Sequence, residues 1–320
     1  MKRCDPVGES AGASADAPIG LIAGAGELPL LVARNLCRAG RPLAVVGLRG
    51  WADPRLRALA ASHARGRFCW RGIVQVGRWA RALRRAGCRE VVMVGRVRKA
   101  EMFAGPRWLQ WLRYLPDCTT IRLWYFHVRD KRNDTLLAAV ADELGRRGVT
   151  MIDSTRYIPE ALAPEGLLVP GGADDEPPSV RPLSDAPRAV IADAAFAWPL
   201  LKQIAAMDIG QSIAVKEREI IAVEAIEGTD RLIERAGALC PQRGWTLVKV
   251  AKPDQDMRFD VPTIGPATIE NLARAGAVAV VVESARTIIL ERSRTLDLAR
   301  RLNVAVIGVR DLGASTGAPR

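Results

Sequence analysis

The stretch Ile19-Gly-Leu-Ile-Ala-Gly24-Ala-Gly26-Glu-Leu-Pro29 decides the fold class of this chain. Its first five residues predict a short buried strand, its glycines predict a tight turn, and Pro29 is typical of the first turn of a helix. A strand that passes through a glycine turn into a helix opens many parallel α/β sheets. We predict that this helix covers residues 28–39, because Gly40 is typical of a residue that ends a helix.

Strands and helices alternate along the rest of the chain, and this alternation predicts a sheet covered by helices. In the first half we predict strands at 43–48, 90–94 and 149–152 and helices at 79–86 and 135–147. In the second half we predict strands at 212–215, 220–223, 246–250, 278–282, 287–290 and 304–309, helices at 229–237, 268–275 and 292–302, and a helix from 188 that Pro199 interrupts.

A proline-rich segment separates the two halves. Seven prolines and the acidic run Asp174-Asp175-Glu176 lie between residues 159 and 187, which indicates a linker. We therefore predict two α/β domains, an N-terminal domain with a Rossmann-like parallel sheet and a C-terminal mixed α/β domain. The predicted bounds are a disordered leader at 1–18, the N-terminal domain at 19–157, the linker at 158–187, the C-terminal catalytic domain at 188–314 and a tail at 315–320.

Composition narrows the class of protein and of metal site. The chain has 320 residues, of which 49% are hydrophobic and 26% charged, and this argues against a disordered, collagen-like or coiled-coil protein. Its longest uninterrupted apolar run near the C-terminus, 277–282, predicts no membrane span, and the first residues predict no export signal. With two histidines and no C-x-x-C pair, any metal must be held by carboxylates, which favours magnesium, manganese or calcium.

The positive charge lies in the first half. The chain carries 47 Lys and Arg against 35 Asp and Glu, and residues 1–150 hold 27 of the bases but only 12 of the acids. A basic face predicts an anionic partner, such as nucleic acid, a membrane surface or a phosphorylated ligand. Forty arginines beside seven lysines fit a generally arginine-rich solvated surface equally well.

Aromatic residues cluster between Phe103 and Phe126, where seven of the sixteen in the chain occur among interleaved arginines. Such a cluster can stack on single-stranded nucleic acid, or it can cover acyl chains at a membrane interface. The helical spacing of Trp108, Trp111 and Leu115 also fits ordinary core packing.

The Gly24 turn is placed to receive a phosphate, because backbone N–H groups and a helix N-terminus meet there. The dinucleotide fingerprint is incomplete, since Pro29 and the basic Arg49 stand where a small residue and an acid are expected. Arg49 would suit a 2′-phosphate, so an NADP-dependent oxidoreductase stays open as an alternative.

The segment 247–265 carries the densest chemistry. Two lysines, one arginine and three acids lie between Lys249 and Asp260, and Pro253 and Pro262 punctuate the loop. Proline-fixed loops hold side chains in place, and isolated surface ion pairs contribute little stability, so a functional site is favoured over a solvated loop. A second acidic group, with Glu224, Glu227 and Asp230, follows the predicted strand 220–223.

At these residues the chain resembles the UDP-2,3-diacylglucosamine pyrophosphatases of lipid A biosynthesis, the LpxI family, which is unrelated to the calcineurin-like enzymes. The resemblance spans nearly the whole chain after the leader. It is carried by Gly20-Leu-Ile-Ala-Gly24-Ala-Gly26-Glu-Leu-Pro29, Met207-Asp208-Ile-Gly210-Gln211, Ala222-Val-Glu224-Ala-Ile-Glu227-Gly228-Thr229-Asp230 and Lys252-Pro-Asp-Gln255-Asp256-Met-Arg258-Phe-Asp260-Val-Pro262-Thr263-Ile-Gly265.

The resemblance implies an enzyme that hydrolyses UDP-2,3-diacylglucosamine to UMP and 2,3-diacylglucosamine 1-phosphate (lipid X), with Mg²⁺ or alternatively Mn²⁺ as cofactor. It implies a cytoplasmic protein on the anionic inner face of the inner membrane, two α/β domains that clasp the substrate, and a homodimer. Nucleic acid is not an implied partner.

The family's essential aspartate lies in an Arg-x-Asp-x-Pro-Thr motif, which places it here at Asp260. We assign Asp260 to metal binding or water activation, Asp256 and Glu227 to the metal, and Lys252 and Arg258 to the phosphates. The expected catalytic residues are thus Asp260, Asp256, Arg258 and Lys252. The expected substrate-binding residues are Gly24, Gly26, Glu27, Gln211, Lys249, Gln255, Thr229 and Thr263.

Two positions depart from the family pattern. This chain has Arg96 where members have a small or amide residue, and Arg132-Asn133-Asp134 where members have Gly-Asp-Asp. Asn133 keeps open a second reading, in which the same fold binds a lipid sugar or nucleotide without cutting it.

Overall fold

A computed structural model describes residues 17–97, 115–123, 133–169 and 180–312. The chain divides into two compact units, unit 1 at residues 1–158 and unit 2 at residues 159–320. Both are α/β units, as the sequence predicts.

Unit 1 is built on a sheet of five parallel strands in the order β3-β2-β1-β4-β5. All five residues of the central strand β1 are buried, as expected where helices cover both faces of a parallel sheet. The strands are β1 (Ile19–Ala23), β2 (Leu43–Leu48), β3 (Arg67–Arg71), β4 (Glu90–Val94) and β5 (Thr150–Met151), and the helices are α1 (Leu28–Arg38), α2 (Arg55–Ala61), α3 (Val76–Arg85), α4 (Cys118–Arg122) and α5 (Asn133–Arg146).

The predicted strands β1, β2 and β4 are confirmed residue for residue, whereas α2 and β3 were not predicted. Arginines at five positions between Arg55 and Arg71 interrupt the apolar pattern there. The strand β3 lies at the edge of the sheet, where alternate polar residues are tolerated because one side faces solvent.

The turn after β1 depends on a close approach of two backbones. Ala25 and Arg96 form an antiparallel bridge, and the Gly24 amide donates to the Val94 carbonyl at 2.9 Å. A Cβ on Gly24 would lie 2.9 Å from backbone atoms of Gly95 and Arg96. Glycine is therefore required here by packing against the chain after β4.

Unit 2 contains a six-stranded mixed sheet in the order β6-β13-β11-β9-β7-β8, in which β9, β11 and β13 are parallel. The strands β6 and β7 run antiparallel to their neighbours β13 and β9, and β8 runs antiparallel to β7. The strands are β6 (Gly166–Val169), β7 (Ser212–Lys216), β8 (Glu219–Val223), β9 (Trp245–Lys249), β10 (Thr263–Ile264), β11 (Ala277–Glu283), β12 (Ile288–Ile289) and β13 (Ala305–Val309), and β10 pairs with β12 separately.

Helices cover both faces of this sheet. One core contains Leu232 and Leu272 from α7 and α8, with Leu296 from α9. The other contains Trp198 and Leu201 from α6. The helices of unit 2 are α6 (Arg188–Ala206), α7 (Thr229–Leu239), α8 (Pro266–Ala275) and α9 (Arg292–Arg301).

Two predictions about prolines are wrong. The segment assigned to a linker contributes β6, which pairs with β13 at the edge of the second sheet. An edge strand tolerates prolines because one of its sides has no neighbouring strand to receive hydrogen bonds. Pro199 does not interrupt α6, because Trp198 and Leu201 on either side are buried against the sheet and hold the helix together.

By length and composition alone α6 is long and apolar enough to cross a membrane, with 19 residues and a mean hydropathy of 1.3. The prediction of no membrane span was made from the apolar run 277–282 and did not identify this helix as a candidate. Its buried residues, among them Val190 and Ala194, pack against the sheet of unit 2.

We expect Gly24→Ala to lower the free energy of unfolding by about 1–3 kcal/mol, because the new methyl group meets backbone that cannot turn aside. Gly145→Ala is the matched control. Gly145 lies in the exposed last turn of α5 with open space around it, so alanine there should be neutral or stabilise the helix by up to about 1 kcal/mol. Urea unfolding measures both, and equal stability of Gly24→Ala and wild type would contradict the packing account.

Candidate functional site in unit 2

Four strands bring polar residues to one edge of the second sheet. Ser212, the first residue of β7, lies opposite Lys249, the last residue of β9. Glu224 directly follows β8, and its amide donates to the Ser212 carbonyl at 2.9 Å. Glu283 ends β11, so residues from four strands share this edge. The carboxyl edge of parallel strands is where α/β proteins usually place their ligand sites.

Lys249 lies at the centre of this edge and is only 4% exposed. Its Nζ donates to Thr229 Oγ1 at 2.8 Å and is 3.4 Å from Ser212 Oγ. Thr229 opens α7 and in turn donates to Glu224 Oε1 at 2.9 Å. The buried ammonium is therefore connected to a buried carboxylate through one hydroxyl group.

Carboxylates surround this ammonium. Burial lowers the pKa of Lys249 below its ordinary value, and the negative charges of Glu224, Asp230 and Asp260 oppose that shift by favouring the charged form. A buried charge is costly unless it is paired, and these three carboxylates supply the pairing.

Two buried acceptors at this edge lack a hydrogen-bond partner among the described residues, Glu224 Oε2 and Gln211 Oε1. The backbone of Gln211 is fixed, because its carbonyl accepts from the Val250 amide at 3.0 Å. Gly210 approaches Glu224 so closely that a Cβ would collide with the Glu224 carbonyl, which explains the glycine. Unpaired buried acceptors are uncommon in proteins, and an ordered water, a ligand donor or a cation satisfies them.

The loop after β9, residues 250–262, is fixed to β11 by Glu283. The Ala251 amide donates to Glu283 Oε2 at 2.7 Å. Lys202 of α6 donates to the same oxygen at 2.7 Å and to the Ala251 carbonyl at 3.1 Å. A partly buried ion pair thus holds the first residues of the loop that carries most of the predicted site.

Inside the loop the predicted cations are paired with acids. Lys252 Nζ lies 2.5 Å from a carboxylate oxygen of Asp208, a residue in the left-handed conformation with φ of 58°. Arg258 donates to both oxygens of Asp256 at 2.6–3.0 Å, and these hydrogen bonds lower the pKa of that carboxyl. A phosphate entering here would have to exchange with these carboxylates.

Gln255 joins the two ends of the loop. Its side-chain oxygen accepts from the Lys252 amide at 3.2 Å, and its side-chain nitrogen donates to the Asp260 carbonyl at 2.5 Å. Thr263 lies just beyond in β10, where its hydroxyl donates to the Val261 carbonyl at 3.0 Å. In this structure Gln255 and Thr263 shape the loop that presents Asp260.

The predicted metal ligands are not assembled as one set. Glu227 Oε1 lies 2.6 Å from Arg235, and Asp256 is held by Arg258. The described ranges contain no group of three or more His, Cys, Asp or Glu side chains placed to hold one ion. The negative charges of Asp260, Glu224 and Asp230 instead act together on the pKa of Lys249. The arginine partners account for the difference, since each satisfies a carboxylate that the prediction assigned to the metal.

The Gly24 turn belongs to unit 1 and is already hydrogen-bonded. The amides of Gly24 and Ala25 donate to the carbonyls of Val94 and Arg96, so they are not directed at a phosphate. The Glu27 carboxylate lies 2.9 Å from Arg55. Gly26, with φ of 103°, has open space around it. The occupied amides weaken one of the two observations, the glycine turn and Arg49, on which the dinucleotide-binding alternative rested.

Several predicted features lie outside the described residues. These are the aromatic cluster at 103–114 and 124–126, Arg132, and the side chains of Asn133 and Asp134. The residues of the site that were not predicted are Ser212, Lys202 and Glu283. Glu283 carried a signal, because it is a charged residue directly after a run of buried apolar residues.

We expect the burial of Lys249 to make the free energy of unfolding rise with pH in the alkaline range. The pKa of Lys249 is 10.5 in the unfolded chain and lower in the folded protein. At a pH between these two values the unfolded chain binds more protons than the folded protein. Raising the pH there therefore favours folding, by up to about 1.4 kcal/mol per pH unit. Lys249→Met should remove this component in urea unfolding series. Lys216→Met, which changes a partly exposed lysine of β7, should keep it. Equal slopes for the two variants would contradict the burial account.

Two comparisons with known proteins, one with family models and one with a named relative, agree on one family. Residues 18–161 match the LpxI N-terminal domain and residues 183–307 match the LpxI C-terminal domain. A relative from Caulobacter vibrioides, named UDP-2,3-diacylglucosamine pyrophosphatase LpxI, is 33% identical over 298 residues, which are 91% of this chain and 97% of the relative. A solved structure of PA4631, a nucleoside-diphosphate-sugar epimerase from Pseudomonas aeruginosa, covers 90% of this chain and is itself covered to 85%, at 14% identity. Its TM-score of 0.25 is too low to indicate a shared fold. The two domain matches and the full-length relative establish that the chain belongs to the LpxI family.

Proposed function

We propose that this protein hydrolyses the diphosphate bond of UDP-2,3-diacylglucosamine, giving UMP and 2,3-diacylglucosamine 1-phosphate (lipid X), in lipid A biosynthesis. The observation that carries the proposal is the buried Lys249 at the edge of a sheet, where the charge of Asp260 acts on it and two buried acceptors have no hydrogen-bond partner among the described residues. The relationship to a protein named for this activity, over 91% of the chain, supports it.

The chemistry begins with charge neutralisation. A diphosphate carries negative charge that repels an attacking water oxygen, and fixed cations reduce that repulsion most in the transition state. Lys249 is already in place for this, while Lys252 and Arg258 can pass from Asp208 and Asp256 to phosphate oxygens. The acids therefore hold the two cations in position before the substrate arrives.

Hydrolysis then needs a base and a leaving group. Water adds to one phosphorus, the bond from that phosphorus to the bridging oxygen breaks, and the proton from water passes to a carboxylate. We assign that carboxylate to Asp260, which Gln255 holds through its backbone carbonyl at 2.5 Å. The bridging oxygen leaves as part of the second phosphate, whose charge the lysines and Arg258 stabilise.

The reaction is proposed to use Mg²⁺ or Mn²⁺. Magnesium is commonly held by one or two carboxylates together with substrate phosphates, so it does not need a three-carboxylate cage. Asp260 and the unpaired Glu224 Oε2 are the protein oxygens that would hold it. When bound, the ion would add positive charge at the phosphate being attacked.

We also propose that the protein is cytoplasmic, works at the inner face of the inner membrane, and forms a homodimer. A substrate with two acyl chains resides in a membrane, and the basic excess of residues 1–150 suits an anionic leaflet. Phe196 and Leu200 lie one helical turn apart on the outer face of α6, and each is about two-fifths exposed. They form an apolar surface that a second copy of the chain could cover.

A binding protein of the same fold is the second candidate. It is favoured by the ion pairs at Asp256 and Glu227, which leave the predicted metal set unassembled. Such a protein would bind the lipid nucleotide without releasing UMP.

We expect purified protein to release UMP from UDP-2,3-diacylglucosamine in a reaction that chelation stops and Mg²⁺ restores. Asp260→Asn should lower kcat by about 10²–10⁴-fold, because it removes the base while keeping the shape of the side chain. Asp254→Asn, which changes an exposed acid in the same loop, is the control and should stay near the wild-type rate.

Chromatographic assay of UMP separates the outcomes. Binding of the lipid nucleotide without UMP release would favour the binding protein. Release that persists in Asp260→Asn would exclude the role given to that residue, and release unaffected by chelation would exclude the metal.

A further inference from the structure

Unit 1 contains a groove of about 970 Å³ that the site in unit 2 does not use. It runs along the edge strand β3, beside α3. The described residues that line it include six arginines and no Asp or Glu: Arg49, Arg67, Arg71, Arg78, Arg81 and Arg85.

Register shows which side chains face the groove. A Cβ on Gly20 would lie 2.8 Å from the Leu83 side chain of α3, so α3 covers the face on which Gly20 lies. Gly20 pairs with Ala44, and Val46 of the same strand pairs with Cys69. Because alternate residues of a strand share a face, Ala44, Val46 and Cys69 form a floor of small apolar side chains. Arg67 and Arg71 alternate onto the same face and stand along the edge of that floor.

The six guanidinium groups have no acidic partner within the described residues. Arg67 and Arg71 donate only to backbone carbonyls close by in the sequence. Elsewhere in unit 1 acids and arginines do pair, as Glu143 does with Arg122 and Arg147. From Arg78, the Asp117 carboxylate accepts only the backbone amide, at 2.9 Å, so among the described residues the guanidinium groups keep a positive charge that an anionic ligand would neutralise.

Helix stability does not explain these arginines. Arg78 and Arg81, and Arg81 and Arg85, are three and four residues apart on α3, where like charges repel and destabilise a helix. Arg85 lies in the last turn, where a cation is favoured by the helix dipole, but Arg78 and Arg81 lie before it.

The floor and the neighbouring strand select among anions. Nucleic-acid surfaces of this kind use exposed aromatic rings for stacking. Phe68 and Trp70 also line the groove, but their side chains alternate onto the face of β3 opposite Arg67, Cys69 and Arg71. There a Cβ on Gly47 would meet their rings at 3.0–3.1 Å. Ala44 and Val46 of the floor are only 3% and 1% exposed, so the groove presents a ligand chiefly with arginines, which suit the phosphate of a lipid headgroup.

We propose that this arginine groove binds the phosphate headgroups of anionic phospholipids and thereby docks unit 1 on a membrane surface. Arginine is suited to this task, because its planar fork donates two hydrogen bonds to one phosphate. The proposal rests on the membrane association proposed above and gives it a place in the fold.

Vesicle sedimentation tests the groove without using catalysis. The full-length protein is mixed with vesicles of equal parts phosphatidylglycerol and phosphatidylcholine, or with phosphatidylcholine vesicles alone. Arg78→Gln/Arg81→Gln should weaken binding to the anionic vesicles by about 25-fold, because each of the two charges removed contributes a factor of about five. The control Arg38→Gln/Arg57→Gln removes two exposed arginines of α1 and α2 that do not line the groove, and it should change binding by less than about twofold.

Three further measurements keep the test decisive. Hydrogen exchange should show protection by anionic vesicles at residues 67–71 and 76–85. Equal loss of binding in the two double variants, or no preference for anionic vesicles, would overturn the proposal. Inorganic triphosphate bound as tightly as vesicles, and lost in the groove variant, would replace the lipid with a soluble phosphate. Release of UMP from detergent-dispersed substrate should persist in the groove variant, so failure of docking and failure of the proposed activity are distinguishable.

Discussion

The buried ammonium of Lys249 is the constraint on which unit 2 depends. A lysine that is only 4% exposed is tolerated only where opposite charge and hydrogen-bond acceptors surround it. Glu224 reaches the lysine through Thr229, while Asp230 and Asp260 contribute charge. These partners lie on elements that are distant in the sequence, so the mixed strand order of the sheet is what brings them to one edge. The same arrangement leaves acceptors without donors, which is costly for stability and useful for binding a ligand.

Local pattern in the sequence is sufficient to predict most of the fold. The strand Ile19–Ala23 and its two parallel neighbours are continuous apolar runs bounded by turn residues, and these patterns are strong. One edge strand of each large sheet was missed, because Arg67–Arg71 carries charges at both ends and Gly166–Val169 lies among prolines. Pro199 was given too much weight, since buried neighbours can hold a helix together around a proline. In each case tertiary packing, which a local window does not contain, decided the outcome.

The site was predicted less completely than the fold. Charge density drew attention to Lys249 and to the loop that carries Asp260. It did not reveal that Asp256 is neutralised by Arg258, because a spacing of two residues does not determine which acid pairs with which base. Ser212 and Glu283 could not be predicted, since their roles depend on strand register across the sheet. Family resemblance identified the motifs but contained no information about these contacts.

Single-turnover release of UMP from UDP-2,3-diacylglucosamine by Lys249→Met tests most directly whether this edge is the catalytic centre. The variant keeps the length of the side chain and removes its charge, so a chain that still folds but has lost about 10²–10³-fold in rate is the expected result. Lys249→Arg, which keeps the charge, should retain more activity than Lys249→Met. Turnover of Lys249→Met at the wild-type rate would contradict the claim that the buried ammonium acts on the diphosphate.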